Sequence, residues 1–230
     1  MRSLVQNLPD PLPLDPLPLA STWLRQAWDE QAQPNPNAMV LATLGEDDRL
    51  SARVVLCKDI VPDPGYLVFY TDYASRKGRE LDAWPRAAAV FHWDSMCRQL
   101  RIEGEVVRSP PSESDDYFAS RPWRSRVAAC ASRQSEPIAS RQALVAQWLE
   151  EAARLGAPDP LAMPEDDEEP DFHVARPQGW GGYRLWIDAL EMWVEGEHRL
   201  HDRARWTREI ALDDAGAVRT GPWRHTRLQP

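Results

Sequence analysis

The sequence predicts a mostly β protein with flanking α-helices, its strands forming an antiparallel barrel. Three observations carry this. Short runs rich in β-branched and aromatic residues recur between residues 38 and 108. The turn-like segments GEDD and PDPG separate the first three of them. The last, CRQLRIEGEVVR, alternates polar and apolar side chains as a half-buried strand does. Strands at this spacing indicate a barrel or sandwich rather than a parallel α/β sheet, and one domain decorated by helices is the economical reading.

Residues 1–20 read as a proline-rich arm ahead of a single domain over 21–230. PDPLPLDPLPL repeats DPLPL and favours extended polyproline, either as a docking arm or as a loose tail. Ser21–Ala32 reads as a helix capped by Ser21, with Trp23, Ala27 and Trp28 near helical spacing, ended by Pro34 and Pro36. Strands follow at Ala38–Leu44, Ser51–Cys57 and Tyr66–Tyr70. A helix over Ser75–Trp84 opens on a capping Ser75 and stops at Pro85. Arg86–Trp93 and Cys97–Arg108 read as strands. Ser112–Ser120 reads as a helix opened by a capping-box-like Ser112/Asp115 pair and stopped before Pro122. Arg141–Leu155 is amphipathic, with Leu144, Trp148 and Leu149 on one side. The proline-rich acidic stretch 157–171 reads as a solvated surface insert. A strand pair, Gly182–Ile187 and Leu190–Val194, leads into HRLHDRARW, and WRHTRLQP ends in a short strand-like piece.

Composition narrows the function classes. With 27 Lys+Arg against 36 Asp+Glu the formal charge is −9, which argues against a nucleic-acid binder. No apolar run approaches a membrane span, and the N-terminus lacks the apolar core of a secretory signal. Three widely spaced cysteines, Cys57, Cys97 and Cys130, fit a reducing cytoplasm and no zinc site. Glycine-rich nucleotide loops, HExxH, CxxC and GxSxG motifs are all absent. An anionic ligand must therefore be held by local cations against the global charge.

Four cationic sets could do so. Arg76 and Lys77 occupy the first turn of a helix behind Ser75, where the dipole disfavours cations by about 0.3–1 kcal/mol each; a docked phosphate would reverse that sign. Arg53 and Lys58 bracket VVLC and face opposite sides of a regular strand, so both reach one ligand only if a bulge or the strand end redirects Lys58. Tyr117, Arg121 and Ser125 offer a phenol, a guanidinium and a hydroxyl near a helix end. Arg199, His201 and Arg203 share a face if RLHDR is extended, as an electron-rich ring or an anion would require. On local grounds each set also reads as solvated or packed charge, and for Tyr117 and Arg121 a tyrosine packed under an arginine is the commoner outcome.

Taken in order, SARVVLCK, FYTDYASRKGRELDAWPRAA, RQLRIEGEV, DDYFASRPWRSRV, SRQSEPIASR, WGGYRL and RLHDRARW resemble the pyridoxamine 5'-phosphate oxidase family over nearly the whole chain. The resemblance implies a split β-barrel, a homodimer and FMN at the subunit interface. It implies oxidation of pyridoxamine or pyridoxine 5'-phosphate by dioxygen to pyridoxal 5'-phosphate, with release of hydrogen peroxide. Carried over by motif, the FMN positions are Arg53, Val54, Val55, Leu56, Lys58, Tyr70, Thr71, Arg76, Lys77, Gln99, Gln134, Ser135, Trp193 and Arg203. The substrate phosphate would meet Lys58, Tyr117, Arg121 and Ser125, with Arg199 and His201 flanking the ring as the catalytic pair.

The chain departs from the family pattern in three places. The N-terminal VQNLPDPLPL lacks the Arg-x-x-Tyr stretch that can fold over the active site. Cys130 stands where the family usually has Trp, and the 157–171 insert is longer than usual. Two alternatives follow: a phenazine-type flavin oxidase, which generally loses part of the Lys/Tyr/Arg/Ser set, or a flavin or B6-phosphate carrier without turnover, which would not need Arg199 and His201.

Overall fold

The computed structural model describes residues 7–45, 47–161, 172–212 and 218–230. The chain divides into two compact units. One comprises Met1–Phe69, Glu80–Val107 and Tyr183–Pro230; the other comprises Tyr70–Arg79 and Arg108–Gly182.

The first unit is the barrel. Its strands are β1 (Ala38–Leu44), β2 (Leu50–Val61), β3 (Tyr66–Asp72), β4 (Arg86–Trp93), β5 (Arg98–Arg108), β6 (Trp180–Val194), β7 (Asp202–Thr207) and β10 (Arg224–Leu228). They run β10-β7-β6-β3-β2-β1-β4-β5, and β6 also pairs with β5. That last pairing closes β6-β3-β2-β1-β4-β5 into a six-stranded barrel, with β7 and β10 continuing beyond β6. A separate hairpin joins β8 (Ile210–Leu212) to β9 (Val218–Thr220). The mostly β, split-barrel architecture read from the sequence is the one observed.

Period-two patterning explains the core. In β4 the buried positions are Ala87, Ala89, Phe91 and Trp93, and in β5 Leu100, Ile102, Gly104 and Val106. Their register places Phe91 opposite Leu100, Ala89 opposite Ile102 and Ala87 opposite Gly104. Gly104 sits where the barrel closes: a Cβ there would lie 1.8 Å from the Trp186 carbonyl oxygen, so only glycine admits this approach of β5 to β6. The outer face of β1 and β2 exposes Val40, Val54 and Leu56, and Val40 pairs with Val54.

Several boundaries differ from the sequence reading. Helix α1 is Leu17–Asp29, four residues earlier than Ser21–Ala32, because Asp15 Oδ1 accepts the Leu17 N–H at 2.9 Å and Leu17 and Ala20 are fully buried. The arm is docked rather than loose: Leu8 N–H donates to Asp202 Oδ2 at 2.8 Å and Trp206 Nε1–H to the Pro13 carbonyl at 2.9 Å. The pair Gly182–Ile187 and Leu190–Val194 is one strand, β6; its apparent break at Asp188 is a carboxylate paired with Arg86 at 2.5 Å.

The second unit carries three helices. α3 is Pro111–Ala119, α4 is Trp123–Ala131 and α5 is Arg141–Leu155. The Ser112/Asp115 capping box does not form, because Pro111 takes the first helical position and Pro110 the cap. α4 was not anticipated: Pro122 reads as a stop for the preceding helix, yet it caps the next, which buries Trp123, Arg126 and Val127. Helix α2 (Arg76–Ala83) follows Ser75 as expected. Residues 162–171 of the acidic insert lie outside the described residues. Among the described residues no helix is long and apolar enough to cross a membrane, and no group of three or more His, Cys, Asp or Glu could hold a metal ion.

The three cysteines are free, with Cys57 and Cys97 buried and Cys130 partly so. Burial, with Asp59 nearby, pushes the Cys57 thiol from 9.0 up to about 12. Above pH 9 the unfolded chain loses this proton and the native chain keeps it, so stability falls with rising pH by about 1.4 kcal/mol per unit until about pH 12. Urea unfolding at pH 8 and pH 10 should therefore show Cys57→Ala losing about 1 kcal/mol less than the unsubstituted protein over that interval. Equal losses would refute the assignment.

Candidate functional site

The clearest cluster lies in the second unit, where β3 runs into α2. Asp72 Oδ1 accepts the Ala74 N–H at 2.7 Å, which turns the chain. Ser75 is buried, and its Oγ accepts the Gly78 N–H at 3.3 Å, capping α2. A Cβ on Gly78 would lie 2.0 Å from the Tyr73 carbonyl oxygen, so the turn and the helix can close only over glycine. From the first turn Lys77 Nζ donates to Thr71 Oγ1 at 3.0 Å, Ser75 Oγ at 3.3 Å and Gln134 Oε1 at 2.6 Å. Thr71 Oγ1 also donates to Gln134 Oε1 at 2.9 Å. The Arg76 N–H donates to Ser135 Oγ at 3.1 Å, and Ser135 holds a left-handed φ of 76°. The structure thus gathers Thr71, Arg76, Lys77, Gln134 and Ser135 at one helix N-terminus.

A second cluster in the same unit is aromatic. The rings of Tyr70, Tyr117 and Trp180 are nearly parallel: Tyr70 lies 4.0 Å from Tyr117 and 5.6 Å from Trp180. Arg121 does not share a helical face with Tyr117, because α3 ends at Ala119 and Pro122 caps the next helix. Its guanidinium instead lies 4.7 Å from the Trp180 ring centroid and 5.7 Å from that of Phe118. Arg121 Nη1 is buried without a hydrogen-bond partner, and among the described residues Arg121 forms no ion pair. Burial pushes this guanidinium below its ordinary value, with Tyr117 and Cys130 acting in the opposite direction. Ser125 is half-buried in the first turn of α4, and its N–H donates to the Pro122 carbonyl at 2.9 Å.

In the first unit, the β2–β3 register shifts between Cys57 and Asp59, so a bulge falls at Lys58, as the Arg53/Lys58 pair required. Arg53 is engaged elsewhere. Its guanidinium donates to Glu80 Oε2 at 2.9 Å and to the hydroxyls of Thr43 and Ser51. Val54 and Leu56 are exposed, while Val55 and Gln99 are half-buried.

The RLHDR segment departs from its expected geometry. Glu197–Arg199 forms a 3-10 turn, and β7 begins only at Asp202. His198 and Arg199 both hold left-handed φ values, 54° and 64°, so Arg199 is not on an extended face shared with His201 and Arg203. The turn is tight at its start, where a Cβ on Gly196 would lie 1.9 Å from the Leu200 carbonyl oxygen. Gly196 N–H donates to His201 Nδ1 at 3.2 Å, which leaves the proton of the neutral imidazole on Nε2. The His201 ring lies 4.6 Å from Trp193. Arg203 donates through Nε and Nη2 to Glu191 Oε1 at 3.1 and 2.7 Å, while Arg101 reaches Glu191 Oε2 at 3.2 Å.

Sequence reasoning missed three groups that hold these residues. Glu80 and Glu191 are buried carboxylates facing Arg53 and Arg203. Glu191 could have been found as a carboxylate inside an apolar strand, two residues before Trp193. Trp180 was visible in WGGYRL, but nothing local ties it to Arg121.

Comparison with known proteins follows the same lines. A family model for pyridoxamine 5'-phosphate oxidase matches residues 24–152, and one for the pyridoxine 5'-phosphate oxidase C-terminal dimerisation region matches residues 180–230. A protein of Paracoccus denitrificans named pyridoxine/pyridoxamine 5'-phosphate oxidase is 45% identical over 219 residues, covering 91% of this chain and 92% of that one. One of the same name from Burkholderia vietnamiensis is 45% identical over 208 residues, covering 90% and 86%. Among solved structures, PhzG from Burkholderia lata 383 in complex with tetrahydrophenazine-1-carboxylic acid matches with a TM-score of 0.78 and 31% identity, over 96% of this chain and 95% of that one. A pyridoxamine 5'-phosphate oxidase-related, FMN binding protein from Nostoc punctiforme shares the fold at a TM-score of 0.59 and 15% identity, over 93% and 97%.

Proposed function

The chain belongs to the pyridoxamine 5'-phosphate oxidase family, and on that premise we propose that it oxidises pyridoxamine and pyridoxine 5'-phosphates to pyridoxal 5'-phosphate with FMN and dioxygen. The observation that carries this reading is Arg121. A desolvated guanidinium with a buried, unpartnered N–H and no carboxylate partner among the described residues suits a phosphate dianion. Tyr117 and Ser125 would complete that contact.

The Lys77 cluster fits the FMN phosphate. A helix N-terminus, a lysine in its first turn and an adjacent arginine supply both donors and charge. Thr71, Arg76, Gln134 and Ser135 would share the phosphate. Arg53, Val54, Val55, Leu56, Lys58, Tyr70, Gln99, Trp193 and Arg203 remain as FMN positions by resemblance. Held by Thr71, Arg76, Lys77, Gln134 and Ser135, FMN would supply the two-electron redox chemistry, with a hydride leaving the substrate C4' carbon and the electrons ending on dioxygen as hydrogen peroxide. Pyridoxine phosphate loses two hydrogens in this reaction; pyridoxamine phosphate also takes up water and releases ammonia. The chain's own groups bind and orient. Arg199 covers the substrate ring, and His201 donates from Nε2 to a ring substituent.

We place two copies in the working unit, since residues 180–230 match a dimerisation region and β1–β2 presents an exposed apolar face. A cytoplasmic setting suits the free thiols. Lys77→Ala should weaken FMN by about 1.5–3 kcal/mol, the worth of hydrogen bonds to a charged group, read by titrating flavin fluorescence. Unchanged affinity, or a monomer that binds FMN as tightly as the dimer, would remove the cluster or the interface from this reading.

The likeness to PhzG favours one second reading, a phenazine-type oxidase. The test is aerobic turnover with peroxide detection on pyridoxine 5'-phosphate, unphosphorylated pyridoxine and a dihydrophenazine carboxylic acid. The B6 reading expects the phosphorylated substrate to lead by orders of magnitude. Comparable kcat/KM for pyridoxine and its phosphate would overturn it.

A further inference from the structure

We propose that Trp180 is a positioning residue for substrate phosphate: its indole face holds the Arg121 guanidinium in place while leaving the cation's charge and its in-plane donors available to the ligand. The proposal rests on the reading that Arg121 binds that phosphate.

Arg121 stands in the short link between α3 and α4, outside both helices, with the Phe118 ring of α3 at 5.7 Å from its guanidinium. A long cation there is ordinarily held by a carboxylate, but a carboxylate would neutralise it and occupy the N–H fork. Here the holder is a ring. The guanidinium carbon lies 4.7 Å from the Trp180 centroid, within the range of attraction to the negative face of an indole. A stacked guanidinium keeps its N–H groups directed outward in its own plane. Nη1 remains buried and unpartnered, as expected of a donor kept for a ligand.

Trp180 is itself immobilised, as a positioning group must be. Its N–H donates to the Pro177 carbonyl at 3.0 Å, and its carbonyl accepts from Arg176 Nη1 at 2.5 Å. Arg176 is in turn tied to Asp115 at 2.6 Å. Phe118 packs edge-on against the indole at 5.2 Å. Tyr117, the other candidate phosphate contact of α3, lies parallel to it at 6.2 Å. The same indole thus neighbours both Arg121 and Tyr117, and no motif-based assignment includes it.

The experiment uses the flavin-loaded enzyme and five variants: Trp180→Leu, Trp180→Phe, Arg121→Ala and the double variants Trp180→Leu/Arg121→Ala and Trp180→Phe/Arg121→Ala. The readouts are KM for pyridoxine 5'-phosphate, the inhibition constant of inorganic phosphate, kcat, flavin absorbance and Tm. Trp180→Leu should raise KM and the phosphate inhibition constant together by about tenfold, equivalent to about 1.4 kcal/mol, with kcat within about twofold and flavin retained. Trp180→Phe keeps a ring face and should raise both by about threefold. In the Arg121→Ala background neither Trp180 change should add to the loss, because the group it positions is gone. A Trp180 effect that persists without Arg121, or that appears only in Tm and flavin content, would make Trp180 structural and overturn the proposal. Should Trp180→Leu not fold, the same comparison with Trp180→Phe decides it. If Arg121→Ala itself leaves KM and phosphate inhibition unchanged, the phosphate reading fails and the proposal with it.

Discussion

Glu80→Ala is expected to destabilise the protein by about 3–5 kcal/mol, the cost of stranding a charge whose buried partner is removed. Glu80 is only 7% exposed in its side chain and Arg53 20%, so water cannot replace the lost contact cheaply. Arg53, Thr43 and Ser51 all donate to this carboxylate. Oε2 accepts from Arg53 at 2.9 Å, Thr43 Oγ1 at 2.5 Å and Ser51 Oγ at 2.7 Å, and Oε1 accepts from Ser51 Oγ at 2.8 Å. Alanine leaves a guanidinium and two hydroxyls to find other partners in the barrel wall. For a chain of this size the loss corresponds to a fall in Tm of roughly 6–20 °C, read by calorimetry or circular dichroism. Glu80→Gln keeps the shape and one acceptor oxygen, and should cost less than half as much. A fall below about 2 °C for Glu80→Ala would mean that Arg53 is held by its hydroxyl contacts alone.

Arg199→Ala is expected to lower kcat/KM by about 10–1000-fold, or about 1.4–4 kcal/mol, while FMN stays bound. The argument rests on the proposed oxidase reaction, in which ring and flavin must stack at about 3–3.5 Å. Arg199 is exposed, and its φ of 64° is one an L side chain adopts at a cost of roughly 1–2 kcal/mol. The fold carries that strain in the turn that leads directly into His201, whose ring lies 4.6 Å from Trp193. Arg199→Gly supplies the control. It should lose as much turnover as Arg199→Ala yet be the more stable of the two, since glycine takes this φ without strain. His201→Ala should act more mildly, because the imidazole offers one N–H where Arg199 covers a ring face. Loss of flavin in proportion to activity in either alanine variant would reassign that residue to cofactor binding or to structure.

What the sequence disclosed tracks how local each signal is. β4 and α5 match to the residue. Pro85 precedes β4, and α5 has a Ser140 cap accepting the Ala143 N–H and a left-handed Gly156 at its end. α4 lacked any such signal: its apolar residues form no clear stripe, and its opening proline reads equally as an end. Within the site, Arg76 and Lys77 were legible because cations at a helix N-terminus contradict its dipole. Gln134 and Ser135 came only from resemblance, since a loop residue some sixty positions away reaches α2 through tertiary folding. The condition on Lys58, a bulge, was stated correctly from strand parity, whereas the same parity failed for Arg199. Two consecutive non-glycine residues at positive φ have no local sequence marker.

The closure of the barrel by β6 bears on how the chain is made. β1 to β5 are complete once Arg108 has been synthesised, but β3 and β5 both wait for β6, which ends at Val194. At roughly 5–20 residues per second the ribosome needs several seconds for the intervening stretch. During that time a five-stranded sheet carries two open edges flanked by apolar side chains, the arrangement most prone to pairing with another nascent chain. Meanwhile the helices α3 to α5 emerge, and α4 can pack against α5, its near neighbour in sequence, before β6 is made. A transcript that slows translation between Arg108 and Val194 would lengthen this exposure, and a chaperone that shields strand edges would have its window there.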